Sequence, residues 1–353
     1  MWFCWMEGNR LCKKQLNMID LRILKIAFYG ASVTQQRHGF VEHFSKMVHK
    51  KVLKFGFGGM HLPDAGICFV DKVADLKPDI CFIDWFSTWY ANQDGKFNLY
   101  LDAITEKLQK TGCRVIFLFL PNNRGLEECD VAQFYTVAKS YLKNKKIEFI
   151  PLDEILANHA VTDLLRDSIH TTPEGSQLYA ENILKYLENT EALPKAEIEP
   201  NIYSAVFVLP VKRCFNKEVV LEGKCHIQGF FLKIGPWSGI VKVNSGTVSF
   251  NENTWDQWCY YGRDHFSFNL PVEGKAVFTL SDETFDTTPC KEHFDFSKQK
   301  KKLVIHEIYY YGKYLKICTK GSKTAYLYTL LMSKIYAAKH RLTLIFKNIA
   351  KKS

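Results

Sequence analysis

Between residues 22 and 190 the chain alternates short apolar runs with longer segments of helical periodicity, and no other feature restricts its fold as much. The runs Ile23–Tyr29, Val52–Phe55, Asp79–Trp85, Val115–Leu120 and Ile147–Ile150 are short, bounded and rich in β-formers, as buried strands are. Between them the spacing predicts helices over Leu62–Leu76, Phe97–Lys110, Asp130 to about Leu142, and Pro173–Leu187. Gly112 closes the second of these, and Pro173 opens the last. Strands that alternate with helices imply a parallel sheet covered on both faces, a three-layer αβα unit over residues 21–190.

The pattern then changes. Residues 191–202, with Pro194 and Pro200, read as a linker. Beyond them come Ala205–Val211, Ile227–Ile234, Gly239–Val243, Thr247–Phe250, Phe266–Leu270 and Ala276–Leu280, separated by Gly, Asn, Asp and Pro. Residues 203–320 therefore read as a β-rich, sandwich-like domain. Its aromatics Trp237, Trp255, Trp258, Tyr260 and Tyr261 suit either a sugar-stacking face or an ordinary core. Residues 321–353 form a basic, amphipathic end segment that suits contact with an anionic membrane or docking on protein.

The chemistry points to two places. Ser32, in Gly30-Ala31-Ser32-Val33-Thr34, stands just past the first strand, where open α/β sheets hold their ligands. Gly30, without a Cβ, permits a sharp exit there. Far downstream stands Asp167-Ser168-Ile169-His170. A serine hydroxyl becomes a good nucleophile when a base takes its proton, and the base needs a carboxylate to fix its tautomer. An Asp three residues before a His can reach Nδ1 and leave Nε2 for the serine. Each place has a plainer reading: Ser32 as a helix N-cap, and the Asp–His turn as a cap for the helix at Pro173.

The order of these blocks resembles the SGNH, or GDSL-type, hydrolases over roughly residues 20 to 190. Gly30–Thr34 stands where their Gly-Asp-Ser-x-Thr block would, Gly56-Phe57-Gly58-Gly59 is similar to their glycine-rich turn, and Asp167–His170 matches their Asp-x-x-His. The resemblance implies a flavodoxin-like αβα sheet and an ester substrate, commonly an acyl group on a sugar or lipid. It also implies Ser32, His170 and Asp167 as the catalytic set, with the backbone N–H groups of Ser32 and Gly59 facing an oxyanion. Two positions depart. Ala31 replaces the usual Asp, and Phe82-Ile83-Asp84-Trp85-Phe86-Ser87-Thr88-Trp89 lacks the Gly-x-Asn-Asp whose Asn donates to the oxyanion. An ungapped reading puts Thr88 at that Asn, beside Ser87, so a hydroxyl is the expected substitute donor. Trp85 and Trp89, with Phe86 and Tyr90, suit a sugar-stacking wall or plain packing.

Composition narrows the rest. The net charge of +10 comes from 47 basic and 37 acidic residues among 353, and part of it lies in runs such as Lys143–Lys146 that read as solvated faces. No nucleic-acid motif accompanies the charge. The eleven cysteines contain no Cys-x-x-Cys pair, so no zinc site is expected, and an odd count suits a reducing compartment. No other metal and no cofactor is expected. Residues 1–20 read as an extension, disordered or not native, with Met18 an alternative start; they lack a secretory layout. The expected location is cytoplasmic or peripheral to a membrane. The expected function is a serine esterase that removes or transfers an O-acyl group, acetyl above all, on a carbohydrate or small-molecule ester. The alternatives are a catalytically weak SGNH-fold protein that binds a glycan or partner, and a lipid esterase or thioesterase.

Overall fold

The computed structural model describes residues 20–88, 95–123, 131–246, 248–283, 286–292, 294–296 and 299–350. All but the last residue of the expected extension 1–20 lies outside them. The chain divides into two units, residues 1–204 and 205–353.

In the first unit the strands are β1 (Ile26–Gly30), β2 (Leu53–Gly56), β3 (Ile80–Asp84), β4 (Arg114–Phe119) and β5 (Glu148–Pro151). They form a parallel sheet in the order β2-β1-β3-β4-β5. This is the doubly wound, flavodoxin-like order, and it reverses direction at the β1/β3 boundary. The helices are α1 (Ser32–Gln35), α2 (Phe40–Met47), α3 (Val70–Ala74), α4 (Phe97–Lys110), α5 (Val131–Asn144), α6 (Leu152–Ile155), α7 (Val161–Leu164) and α8 (Pro173–Asn189).

Side-chain alternation along β1 builds both faces of the core. Phe28 stacks on Phe82 at 4.8 Å and meets Phe40 and Phe44 of α2 edge-on. Its neighbour Tyr29 points the other way, edge-on to Trp85 at 5.2 Å. The helix expected over Leu62–Leu76 is broken, because it opens as a π-turn over Leu62–Gly66 and bends at Phe69. A π-turn leaves carbonyls out of the usual ladder. The buried Tyr29 hydroxyl lies 2.6 Å from the Ala65 oxygen and 2.8 Å from that of Gly66, so its one proton is shared between them, and the Ala65 carbonyl also accepts the Phe69 N–H at 2.9 Å.

The second unit holds β6 (Phe207–Phe215), β7 (Glu218–Ile234), β8 (Ile240–Asn244), β9 (Ser249–Asn253), β10 (Arg263–Ser267), β11 (Leu270–Leu280) and β12 (Leu303–Ile317), followed by helix α9 (Lys323–Ala350). The strands form one antiparallel sheet, β6-β12-β7-β11-β8-β9, with β10 also on β7. Long strands carry it. β7 pairs with β12 along one edge and with β10 and then β11 along the other, around a core that includes Phe230, Leu232, Val241, Phe268 and Phe278.

Two strand expectations need correction. The run Phe266–Leu270 is the joint between β10 and β11, which follow one another along β7, and the chain kinks there at Phe268 with φ of 67°. β12 itself was not expected. Its three register shifts break the two-residue alternation by which a strand is read. Of the aromatics that suited a sugar face, Trp237, Trp255 and Tyr260 are buried and Trp258 is exposed. Among the described residues no helix is long and apolar enough to cross a membrane, and the eight described cysteines are free thiols.

Candidate active site

At the carboxyl end of β1 the chain enters α1 directly. Gly30 is needed there for space more than for an unusual dihedral, since a Cβ would overlap the Asp84 carbonyl of neighbouring β3. That carbonyl accepts the Ala31 N–H at 3.0 Å. Ser32 does not cap the turn. Ala31 holds the N-cap position without a side-chain bond, and Ser32 is the first helical residue. Its N–H is among those that have no partner within a helix.

The second half of the site comes from the loop before α8. Thr172 caps that helix, its Oγ1 accepting the Gly175 N–H at 2.9 Å. The capping task therefore falls to Thr172 and leaves Asp167 and His170 for other work. A bridge between Leu165 and Thr171 closes the turn, and the Arg166 N–H donates to the His170 carbonyl at 2.9 Å. The Ser168 carbonyl accepts the Asn123 N–H at 2.8 Å, which braces the turn from the end of β4.

These pieces meet. His170 Nε2 lies 2.9 Å from Ser32 Oγ, across 138 positions of sequence. His170 Nδ1 lies 2.9 and 3.1 Å from the two Asp167 carboxylate oxygens. A carboxylate can only accept, so Nδ1 carries the imidazole proton and Nε2 accepts from the serine hydroxyl. Partial burial would raise the Asp167 pKa, but the backbone N–H groups of His170 and Ile169, at 2.8 and 3.0 Å, and the imidazole outweigh it. The carboxyl is held below its ordinary value, so Asp167 is ionised at neutral pH. The site is open, with Asp167 48% and His170 26% exposed at their side chains.

The glycine turn after β2 lies beside Ser32. The Phe57 N–H donates to the Gly30 carbonyl at 2.9 Å, and Met60 N–H closes the turn on the Phe57 carbonyl at 3.3 Å. Gly59 takes φ of 73°, a value side chains disfavour. Gly58 sits against Gln35 and near the Ser32 Cβ.

After β3 the arrangement differs from expectation. The Thr88 hydroxyl donates to the Trp85 carbonyl at 2.9 Å, closing its own turn, so it is not presented as an oxyanion donor. The Ser87 hydroxyl has no accessible surface. Trp85 is fully buried, packed edge-on to Tyr29 and against Gly66, so it is a core residue and not a substrate wall. Trp89 lies outside the described residues. An amide stands at this edge all the same, since Asn122 Nδ2 approaches the Ser87 carbonyl at 3.4 Å.

Sequence reasoning passed over three further residues. Gln36 pairs through its side chain with both backbone groups of Thr171, next to His170. Asp84 is fully buried beside Gly30 at the end of β3 and accepts the Thr34 hydroxyl at 3.0 Å. Burial pushes its carboxyl up to about 7. Asn122 follows the expected strand Val115–Leu120, and no pattern of local spacing singles it out.

Sheet order, chain order and the meeting of Ser32 with His170 define the SGNH/GDSL hydrolase fold, followed by an antiparallel β unit. No family model and no curated protein matches the sequence. Among solved structures, the chain is similar to a two-domain esterase (CEX) active on acetylated mannans, with 12% identity and a TM-score of 0.57 over 85% of this chain and 92% of that one. The same esterase co-crystallised with mannopentaose gives a TM-score of 0.58 at 12% identity, over 82% of this chain and 91% of that one. A putative lipolytic protein of the G-D-S-L family from Desulfitobacterium hafniense aligns with 46% of this chain and 98% of its own, at 20% identity and a TM-score of 0.41.

Proposed function

We propose that this chain is a serine esterase that removes an O-acyl group, acetyl above all, from a carbohydrate. The observation that carries the reading is the 2.9 Å approach of His170 Nε2 to Ser32 Oγ, with Nδ1 held on Asp167. His170 takes the hydroxyl proton as Ser32 Oγ bonds to the ester carbonyl carbon. The same proton then goes to the departing sugar oxygen as its bond to the acyl carbon breaks. Water, deprotonated by His170, attacks the acyl-serine, and acetate leaves as the serine takes the proton back.

The oxyanion falls to backbone N–H groups, those of Ser32 and Gly59. Thr88 and Ser87 are not assigned to it, because one hydroxyl is engaged and the other covered. One lost donor lowers kcat by about a hundredfold or more. The engaged Thr88 therefore favours a second reading, a slow enzyme whose main task is to hold a glycan.

A shallow, water-exposed triad suits a bulky, hydrophilic ester better than an acyl chain that needs a closed apolar channel. Ready access of water also favours hydrolysis over transfer to an acceptor hydroxyl. The likeness in fold to an esterase active on acetylated mannans supports the choice of acetylated sugars as the substrate class.

The test is turnover of p-nitrophenyl acetate and of acetylated oligosaccharides by wild type, Ser32→Ala and His170→Ala, with intact-mass detection of acetyl-enzyme. Loss of both signals in both variants is expected. Turnover that survives in Ser32→Ala would defeat the reading.

A further inference from the structure

Helix α9 is docked by one face and apolar on the other. On the docked side Tyr326 packs with Cys214, Trp237 and Val304. The buried Thr329 hydroxyl meets Lys302 Nζ at 2.7 Å, and the buried Ser333 hydroxyl donates to the Gly262 carbonyl at 3.1 Å. A helix held in this way ordinarily turns polar residues outward. Here the outward residues are Leu327, Tyr328, Leu331 and Ile335, exposed by 56%, 60%, 56% and 48%. At about 100° per residue they share an arc roughly 100° wide. The sequence of α9 continues that spacing with Leu342 and Ile345.

The charges select the occupant. The 28 residues of α9 include Lys323, Lys334, Lys339, Arg341 and Lys347 and no acidic residue. The exposed Lys334 borders the apolar arc, and the sequence of α9 supplies Lys339, Arg341 and Lys347 further along. A second copy of the helix laid on this face would set these cations against their equals. An anionic bilayer meets both features at once. The apolar arc enters the boundary between headgroups and acyl chains, and the lysines reach the phosphates. The helix is about 42 Å long, enough for several turns to lie flat.

We infer that α9 is a membrane-surface helix, which seats the protein on anionic phospholipid through the Leu327–Leu331–Ile335 face and its basic border. This attachment is separate from the esterase reading and stands or falls without it.

The experiment is vesicle flotation with the full-length protein, comparing phosphatidylcholine with phosphatidylcholine–phosphatidylglycerol mixtures. Wild type is expected to float with the anionic vesicles and to release as salt rises. The combined Leu327→Ser, Leu331→Ser, Ile335→Ser variant is expected to lose about tenfold or more of that partitioning. A Lys334→Glu, Arg341→Glu variant, with the apolar face intact, is expected to lose the preference for phosphatidylglycerol. Circular dichroism and the melting temperature confirm that both variants fold. Failure of wild type to bind anionic vesicles, or undiminished binding by the folded triple-serine variant, overturns the inference. So does a wild-type dimer that ignores vesicles and that the triple variant dissociates.

Discussion

The side-chain amide of Gln36 makes a two-point pairing with the backbone of Thr171, Nε2 donating to the carbonyl at 2.8 Å and Oε1 accepting the N–H at 3.1 Å. Gln36 closes the helical turn that begins at Ser32, and Thr171 follows His170. One amide thus fastens the segment that carries the nucleophile to the segment that carries the base. Gln36→Ala is expected to lower kcat by about ten- to a hundredfold with KM little changed, since a displacement near 1 Å is enough for that loss. Gln36→Glu keeps the acceptor and loses the donor, so it should fall between wild type and Gln36→Ala. Steady-state kinetics on p-nitrophenyl acetate with a melting curve for each variant checks both. Equal kcat in all three would refute a positioning role.

Asp167 does two things that substitution can separate. Its carboxylate orients His170, and its Oδ1 also accepts two backbone N–H groups that shape the turn. Asp167→Asn retains an acceptor for the turn but not a fixed imidazole tautomer. Its expected loss in kcat is about 10³- to 10⁴-fold with little change in stability. Asp167→Ala removes the turn bonds as well and should unfold at a lower temperature than Asp167→Asn.

Asp84 predicts a pH dependence of stability. Burial raises its pKa from 3.8 to about 7, so the native chain keeps a proton that the unfolded chain has already lost between those values. The native state then binds more protons, and the contribution of Asp84 falls as pH climbs from about 4 towards 7 and is level above that. Across the window the change is on the order of 4 kcal/mol. Asp84→Asn, which keeps an acceptor for Thr34, is expected to remove this decline. Urea unfolding at pH 5 and pH 8 measures it, and parallel slopes for the two proteins would contradict the assignment.

Thr88 and Trp85 are expected to matter for folding and little for substrate. Thr88→Val loses one hydrogen bond to the Trp85 carbonyl, worth about 1 kcal/mol, and should leave esterase turnover within about threefold. Trp85→Ala empties a fully buried site and is expected to lower stability by about 3–5 kcal/mol. Trp85→Phe should leave KM for acetylated oligosaccharides unchanged. A large rise in KM would return Trp85 to the cleft.

Local pattern was enough for the strands of the first unit. The central strands β1, β3 and β4 are mostly apolar, because a strand covered on both faces must be apolar on both, and β1 shows this at Phe28 and Tyr29, whereas the edge strand β2 carries Lys54 and is half-buried. It was also enough to nominate Ser32, Asp167 and His170, since their chemistry depends on residue type and order at strand ends. It was not enough for β12, whose register shifts erase the alternation.

Nor could local pattern tell a capping residue from a catalytic one. Asp167 and Thr172 both suit an N-cap, and only the folded loop gives that bond to Thr172. The hydroxyl of Thr88, the rings of Trp85 and the amide of Gln36 were equally undecided by spacing. Local sequence sets which backbone shapes and hydrophobic faces are favourable, and that determined the sheet and its blocks. What a particular side chain touches depends on atoms brought together from distant positions, such as Ser32 and His170, and only the tertiary structure decided that.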